Sequence, residues 1–164
     1  MATPTTLPAS FVAGNILTAA QLNNLRGAFR VLQVVQATDA TLTTISTNTF
    51  TSIGLSASIT PSATSSKILV FATVGAYAKQ NNTYASLRLF RGATGVFTGN
   101  SYLGFTGSAA ENGGSATLVY LDSPSTTSAT TYEIKMNSVS NIAYVQSIGS
   151  ALGGNSITLM EISA

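Results

Sequence analysis

From Val31 onward, apolar and polar residues alternate with a period of two, in runs of β-favouring residues bounded by Gly, Asn, Pro or Ser clusters. These runs predict eight strands: Val31 to Ala37, Thr49 to Ile59, Lys67 to Ala78, Tyr84 to Arg91, Ser115 to Asp122, Thr130 to Ser138, Ile142 to Ile148 and Ser156 to Ile162. In TTYEIKMNS the alternation is clean, with Tyr132, Ile134 and Met136 facing inward and Thr131, Glu133 and Lys135 facing water. KILVFATVGAYA is different. Both of its alternating sets are apolar, Ile68, Val70, Ala72 and Val74 on one side and Leu69, Phe71 and Tyr77 on the other. Such a strand needs cover on both faces, one from its own core and one from another subunit or layer.

Ahead of Val31 the pattern changes. Residues 1 to about 15 hold Pro4, Pro8 and Gly14 among small polar residues, a composition for an extended arm rather than a packed element. Thr18 and Gln21 have capping-box spacing, which predicts one helix from about Ala19 to Phe29. Leu22, Leu25 and Phe29, extended by Leu32, follow at steps of three, four and three and form one narrow stripe. The stripe fits either a helix-helix seam or a cover over one end of the chain's own β core. Two parts result: an arm and short helix over residues 1–30 and a β domain over 31–164. Many short strands with turn signals and no helical crossover predict an all-β, antiparallel β-sandwich of jelly-roll type, a Greek-key sandwich with another strand order being the alternative. No repeat of fixed period points to a solenoid or propeller.

Composition sharpens this picture. The chain is 45% hydrophobic but only 7% charged, where a soluble domain typically carries about 25% charged residues. Ser, Thr, Asn and Gln fill most other positions, as in TLTTISTNTFTS and SPSTTSATT. Thr packs well on a pleated surface, whereas Ser and Thr compete with helical backbone bonds, so this composition favours strands. A surface so poor in charge also does little to repel copies of itself. The net charge of +2 comes from scattered cations, Arg26, Arg30, Lys67, Lys79, Arg88, Arg91 and Lys135, and lacks the cluster that phosphate neutralisation requires, so no nucleic-acid partner is expected. The start lacks a basic leader, and no run approaches about 18 apolar residues. The expectation is a protein made without an export signal or membrane insertion.

Chemistry is sparse. With no His and no Cys, the chain lacks the usual transition-metal ligands, the commonest general base near neutral pH, and the Ser-His and Cys-His nucleophile systems. Five carboxylates remain, Asp39, Glu111, Asp122, Glu133 and Glu161, with no two within ten residues of each other. A glycosidase-type pair needs two carboxyls about 5 to 9.5 Å apart across one bond, so an enzyme acting on surface polysaccharide is the minor alternative. No calcium loop is present, and ENGG and ALGGNS lack the ending of a phosphate loop. No enzyme activity, cofactor or metal is expected.

Binding surfaces are a better prospect. KQNNTY and VFTGNSYLGFTGSAAENGG place Asn81, Asn82, Tyr84, Phe97, Tyr102 and Phe105 among Ser, Asn and Gly. That mixture can stack on a partner while offering adaptable hydrogen bonds, although any one of these rings can equally serve the core or a subunit interface.

Three segments carry a family resemblance. FVAGNILTAAQLNNLRGAF (11 to 29) resembles an N-terminal element of phage virion proteins, and VYLDSPSTTSATTYEIKMNS with NSITLMEISA is similar to the closing strands of phage fibre modules. The chain thus resembles the small β-rich structural proteins of tailed bacteriophages, which include tail-fibre and receptor-binding modules and capsid decoration subunits. The resemblance implies a jelly roll of the tumour-necrosis-factor type, a homotrimer, and a place on the virion surface after synthesis in the host cytoplasm. It implies docking to other virion proteins or trimerisation through the N-terminal part, for which Phe11, Leu17, Leu22, Leu25 and Phe29 are the candidates. Having neither long shaft nor large attachment domain, the chain would be a short fibre or tail-tip subunit meeting a host receptor or glycan, or alternatively a decoration protein that stabilises the head.

Overall fold

The computed structural model describes residues 31–80, 84–105, 112–145 and 154–163, together with Ile16 and Ala19. The arm and helix expected before Val31, with Phe11, Leu17, Leu22, Leu25 and Phe29, lie outside the described residues, as do Asn81 and Asn82. Among the described residues the strands are β1 (Val31–Asp39), β2 (Thr43–Ile45), β3 (Thr51–Ile59), β4 (Lys67–Lys79), β5 (Ala85–Arg91), β6 (Thr94–Leu103), β7 (Asn112–Asp122), β8 (Thr130–Ser138), β9 (Ala143–Val145) and β10 (Asn155–Ile162). They form an all-β sandwich of two antiparallel sheets. One has the order β1-β10-β4-β9-β2 with β7 on the other edge of β4, and the second has the order β3-β8-β5-β6.

Period-two alternation sends every second side chain between the sheets. Ile53 and Leu55 of β3, Ile68, Val70, Ala72 and Val74 of β4, Leu87 and Leu89 of β5, Tyr132, Ile134 and Met136 of β8, and Ile157 and Leu159 of β10 are all fully buried there. Each large apolar side chain so buried contributes about 1.5–3 kcal/mol. β8 follows the expected alternation from Thr130 to Met136, beyond which Asn137 and Ser138 are both buried.

Two strands were not anticipated. β2 is three residues long, too short to show a period. β6 (Thr94–Leu103) takes up the first part of a stretch read as a binding surface because its aromatics stand among Asn, Ser and Gly. Those glycines sit where neighbours press closest: a Cβ on Gly99 would come within 2.7 Å of Leu118 Cδ2, and one on Gly95 within 2.5 Å of Arg88 Nε. Phe97 packs on the core, stacked on Tyr120 with centroids 4.9 Å apart. For the same reason β7 starts at Asn112, three residues early, its Gly113 lying directly against the Tyr77 carbonyl. A further correction concerns Tyr77. A register shift between Val74 and Tyr77 flips the parity of β4, so Tyr77 packs against the core and Lys79 is buried, on the same side as Val74.

Two polar clusters tie the sheets together at the end where β1 and β4 begin. Asp122 accepts from Arg91 Nη1 at 2.7 Å and from Tyr132 Oη at 2.6 Å. Burial, then the Asp122 carboxylate, pushes the Tyr132 phenol well above its usual range. Glu161, fully buried on β10, accepts from Gln33 Nε2 at 2.6 Å and from the Ser62 backbone N–H and hydroxyl at 2.7 and 2.6 Å. Burial alone would raise its pKa, but these bonds and one from Ser66 outweigh it and hold the carboxyl at about 2.

As acid is added, the unfolded chain protonates Glu161 near its ordinary pKa of 4.5 while the folded chain resists until about 2. The stability this carboxylate supplies is thus complete above pH 4.5 and is lost as pH falls towards 2. Glu161→Gln is expected to cost about 1–3 kcal/mol at neutral pH and to flatten that acid limb, as read by denaturant unfolding at pH 7, 4 and 2.5.

Candidate functional site

The outer face of the six-stranded sheet is built from the alternate positions of four paired strands, and their register aligns those positions in rows. Val34 pairs with Met160, Met160 with Leu69, and Leu69 with Leu121, giving one wholly apolar row. In the next, Gln36, Thr158, Phe71 and Val119 follow one another, and in the third Thr38, Ser156, Thr73 and Thr117. The face therefore grades from hydrocarbon to hydroxyl along the strands. Val34 is 56% exposed and Leu121 50%, with Val31, Leu32, Phe71 and Val119 comparably bare. Lys67, bonded to Ser123 Oγ, supplies the charge at the apolar edge.

The opposite sheet turns a different surface outward. Ser52, Ser56, Ser58 and Thr131 alternate there with Arg88, Glu133 and Lys135. Glu133 and Lys135 form an ion pair at 3.2 Å, and Lys135 sits 4.7 Å from the Phe90 ring. Arg88 lies 5.7 Å from the rings of both Phe50 and Phe90. One face is solvated in the ordinary way; the other is left as hydrocarbon.

A second feature lies at the end of the sandwich where β4 finishes. Tyr84 and Tyr102 lie against each other at a 32° tilt with centroids 4.2 Å apart, and Phe105 meets Tyr102 edge-on at 6.2 Å. Tyr102 is 63% exposed and Phe105 58%. Tyr102 holds φ at +62°, a left-handed conformation that costs a residue with a Cβ about 1–2 kcal/mol. The turn from Tyr102 to Phe105 closes on Phe105 N–H to Tyr102 O, with Gly104 at φ +63°. It lies tightly on the ends of β4 and β7: a Cβ on Gly104 would fall 2.6 Å from Lys79 Cβ and 2.9 Å from Asn112 O. Beneath it, the fully buried Lys79 ammonium donates to the carbonyls of Gln80 and Ser140, both at 2.7 Å. Burial lowers its pKa from the usual lysine value. These bonds pin the end of β4 to the turn at Ser140 and Asn141, both of which hold φ +55°.

The structure thus brings Tyr84, Tyr102 and Phe105 together in one exposed cluster. The apolar face is larger than the sequence reading anticipated, which named only Leu69 and Phe71 of it. Val34, Met160, Val119 and Leu121 went unremarked because a single strand shows which side is apolar but not which neighbours complete the row. No protein-family model and no curated protein matches the chain. The four described carboxylates stand apart in separate contacts, Asp39 beside Thr41, Asp122 on Arg91 and Tyr132, Glu133 on Lys135, and Glu161 on Gln33 and Ser62. Among the described residues no three acidic side chains converge into a metal-binding group.

Lys79→Met removes the donor from two buried carbonyls, at a cost of about 1–3 kcal/mol. Hydrogen exchange is expected to quicken at residues 138–142 and 102–105 in that variant, while β3 and the centre of β8 keep their protection.

Proposed function

We propose that this chain is a non-enzymatic surface subunit of a tailed-bacteriophage virion. It assembles as a homotrimer, docks through residues 1–30 and projects its sandwich outward, as a short fibre or tail-tip subunit contacting the host. The uncovered apolar face is the observation that carries this reading. Its six barest side chains expose on the order of 500 Å² between them, which reaches the upper end of the largest patches on ordinary monomers. With the flanking hydroxyl rows the face offers roughly the 800 Å² per partner of a standard interface.

Strand order supports the finer fold assignment. The four long strands β1-β10-β4-β7 face β3-β8-β5-β6, an arrangement that favours an eight-stranded jelly roll over another Greek-key order. The likeness of segment 11–29 to phage virion proteins, and of segments 119–138 and 155–164 to phage fibre modules, supports the particle and the threefold stoichiometry.

Light scattering is expected to give the mass of three 16.8-kDa chains. Replacing Val34 and Leu121 together by Asp should yield a folded monomer, because both side chains are half exposed in the isolated subunit. A wild-type protein that stays monomeric at micromolar concentration overturns the assembly reading. Binding to purified heads but not to host cells would move the subunit from the tail to the capsid as a decoration protein.

A further inference from the structure

The sandwich has two unlike ends. Val31, where the N-terminal segment joins, pairs with Ile162, and Ile162 pairs with Lys67, the first residue of β4. Tyr102 and Phe105 lie at the other end, over Lys79, the last residue of that thirteen-residue strand. At about 3.3 Å per residue, roughly 40 Å separates the two. A subunit held by its N-terminal segment carries the aromatic cluster at its free tip.

We infer that this tip binds a neutral hexopyranose through the platform of Tyr84, Tyr102 and Phe105, an inference whose outward orientation rests on the docking reading above. Three features of the tip select that ligand class. The exposed rings of Tyr102 and Phe105 stand at 68° to each other and offer two apolar walls, to either of which a pyranose can apply the face that carries its axial C–H bonds. The rim supplies phenol hydroxyls and the Asn112 carboxamide, whose Nδ2 holds the Phe105 carbonyl at 3.3 Å, groups suited to hydroxyls around a sugar's edge. Among the described residues of the tip the one cation, Lys79, is buried and committed to backbone carbonyls, so it is not on offer to an anionic ligand.

The platform is also built in advance of any ligand. Tyr102 keeps its ring on Tyr84 although its backbone sits where Gly or Asn would be at ease. Lys79 and Gly104 fix the turn below it. Little ordering entropy is then lost on binding, which matters for a ligand with few contacts.

The test is saturation-transfer-difference NMR on the full chain with the methyl glycosides of glucose, galactose, mannose and N-acetylglucosamine. At least one is expected to receive saturation, mainly at the protons of one ring face, with a dissociation constant on the order of 1 mM. Tyr102→Asn removes the ring and keeps a residue that tolerates the left-handed backbone; Phe105→Ala removes the second exposed ring. Each is expected to weaken binding about fivefold or more with the melting temperature held, whereas the Val34 and Leu121 double variant should bind as wild type. No transfer to any of the four at about 20 mM, far above that constant, overturns the inference, as does undiminished transfer in Tyr102→Asn and Phe105→Ala. A trimer that binds no sugar removes this inference alone, and a monomer that binds sugar removes the assembly reading alone.

Discussion

β4 is paired along both edges and packed on its inner face, so the positions of its outer side chains are dictated by bonds they do not make. Its partners on either side, β10 and β7, are locked in register by the same ladder, and β1 is locked through β10. Because side chains in a pleated sheet point alternately to opposite faces, burying Val70 and Ala72 obliges Leu69 and Phe71 to face away. The hydrocarbon on the outer face is not a loose end of the core. It is a second ordered surface, generated by the same constraint that makes the first.

Within β4 that constraint breaks at the irregularity between Val74 and Tyr77. The shift brings Tyr77 and Lys79 to the interior side and puts an ammonium where an apolar residue would otherwise continue the core. Burying that charge is tolerable because two carbonyls at chain crossings, Gln80 and Ser140, accept from it. The tip therefore differs in kind from the middle of the sandwich. Packing of alternating apolar residues holds the middle; hydrogen bonds and strained turns hold the tip, leaving its rings outside.

The base has its own solution. Glu161 and Asp122 are buried carboxylates, each satisfied by neighbours on other strands or loops, and both bridge elements far apart in sequence. Among the described residues the few charges are thus spent largely on structure at the two ends and on the solvated sheet, and the face between them is left almost neutral. Neutrality removes the repulsion that keeps like molecules apart.

Local pattern alone was enough to determine the all-β class, seven of the eight long strands and the inward set of β8, because alternation is a property of consecutive residues. It was also enough to mark β4 as apolar on both sides. What it could not supply were facts about strands meeting. Gly95, Gly99, Gly113 and Gly114 read as loop because glycine is permissive, yet they lie within strands, and three of them stand where a neighbouring atom leaves no room for a Cβ. The rows that unite Val34, Met160, Leu69 and Leu121, and the contact of the Tyr84 and Tyr102 rings, join residues up to 126 positions apart. Chain composition made such surfaces available, but only pairing register and the shift in β4 decided which side chains share them, since a single residue's slip would have turned each to the other face.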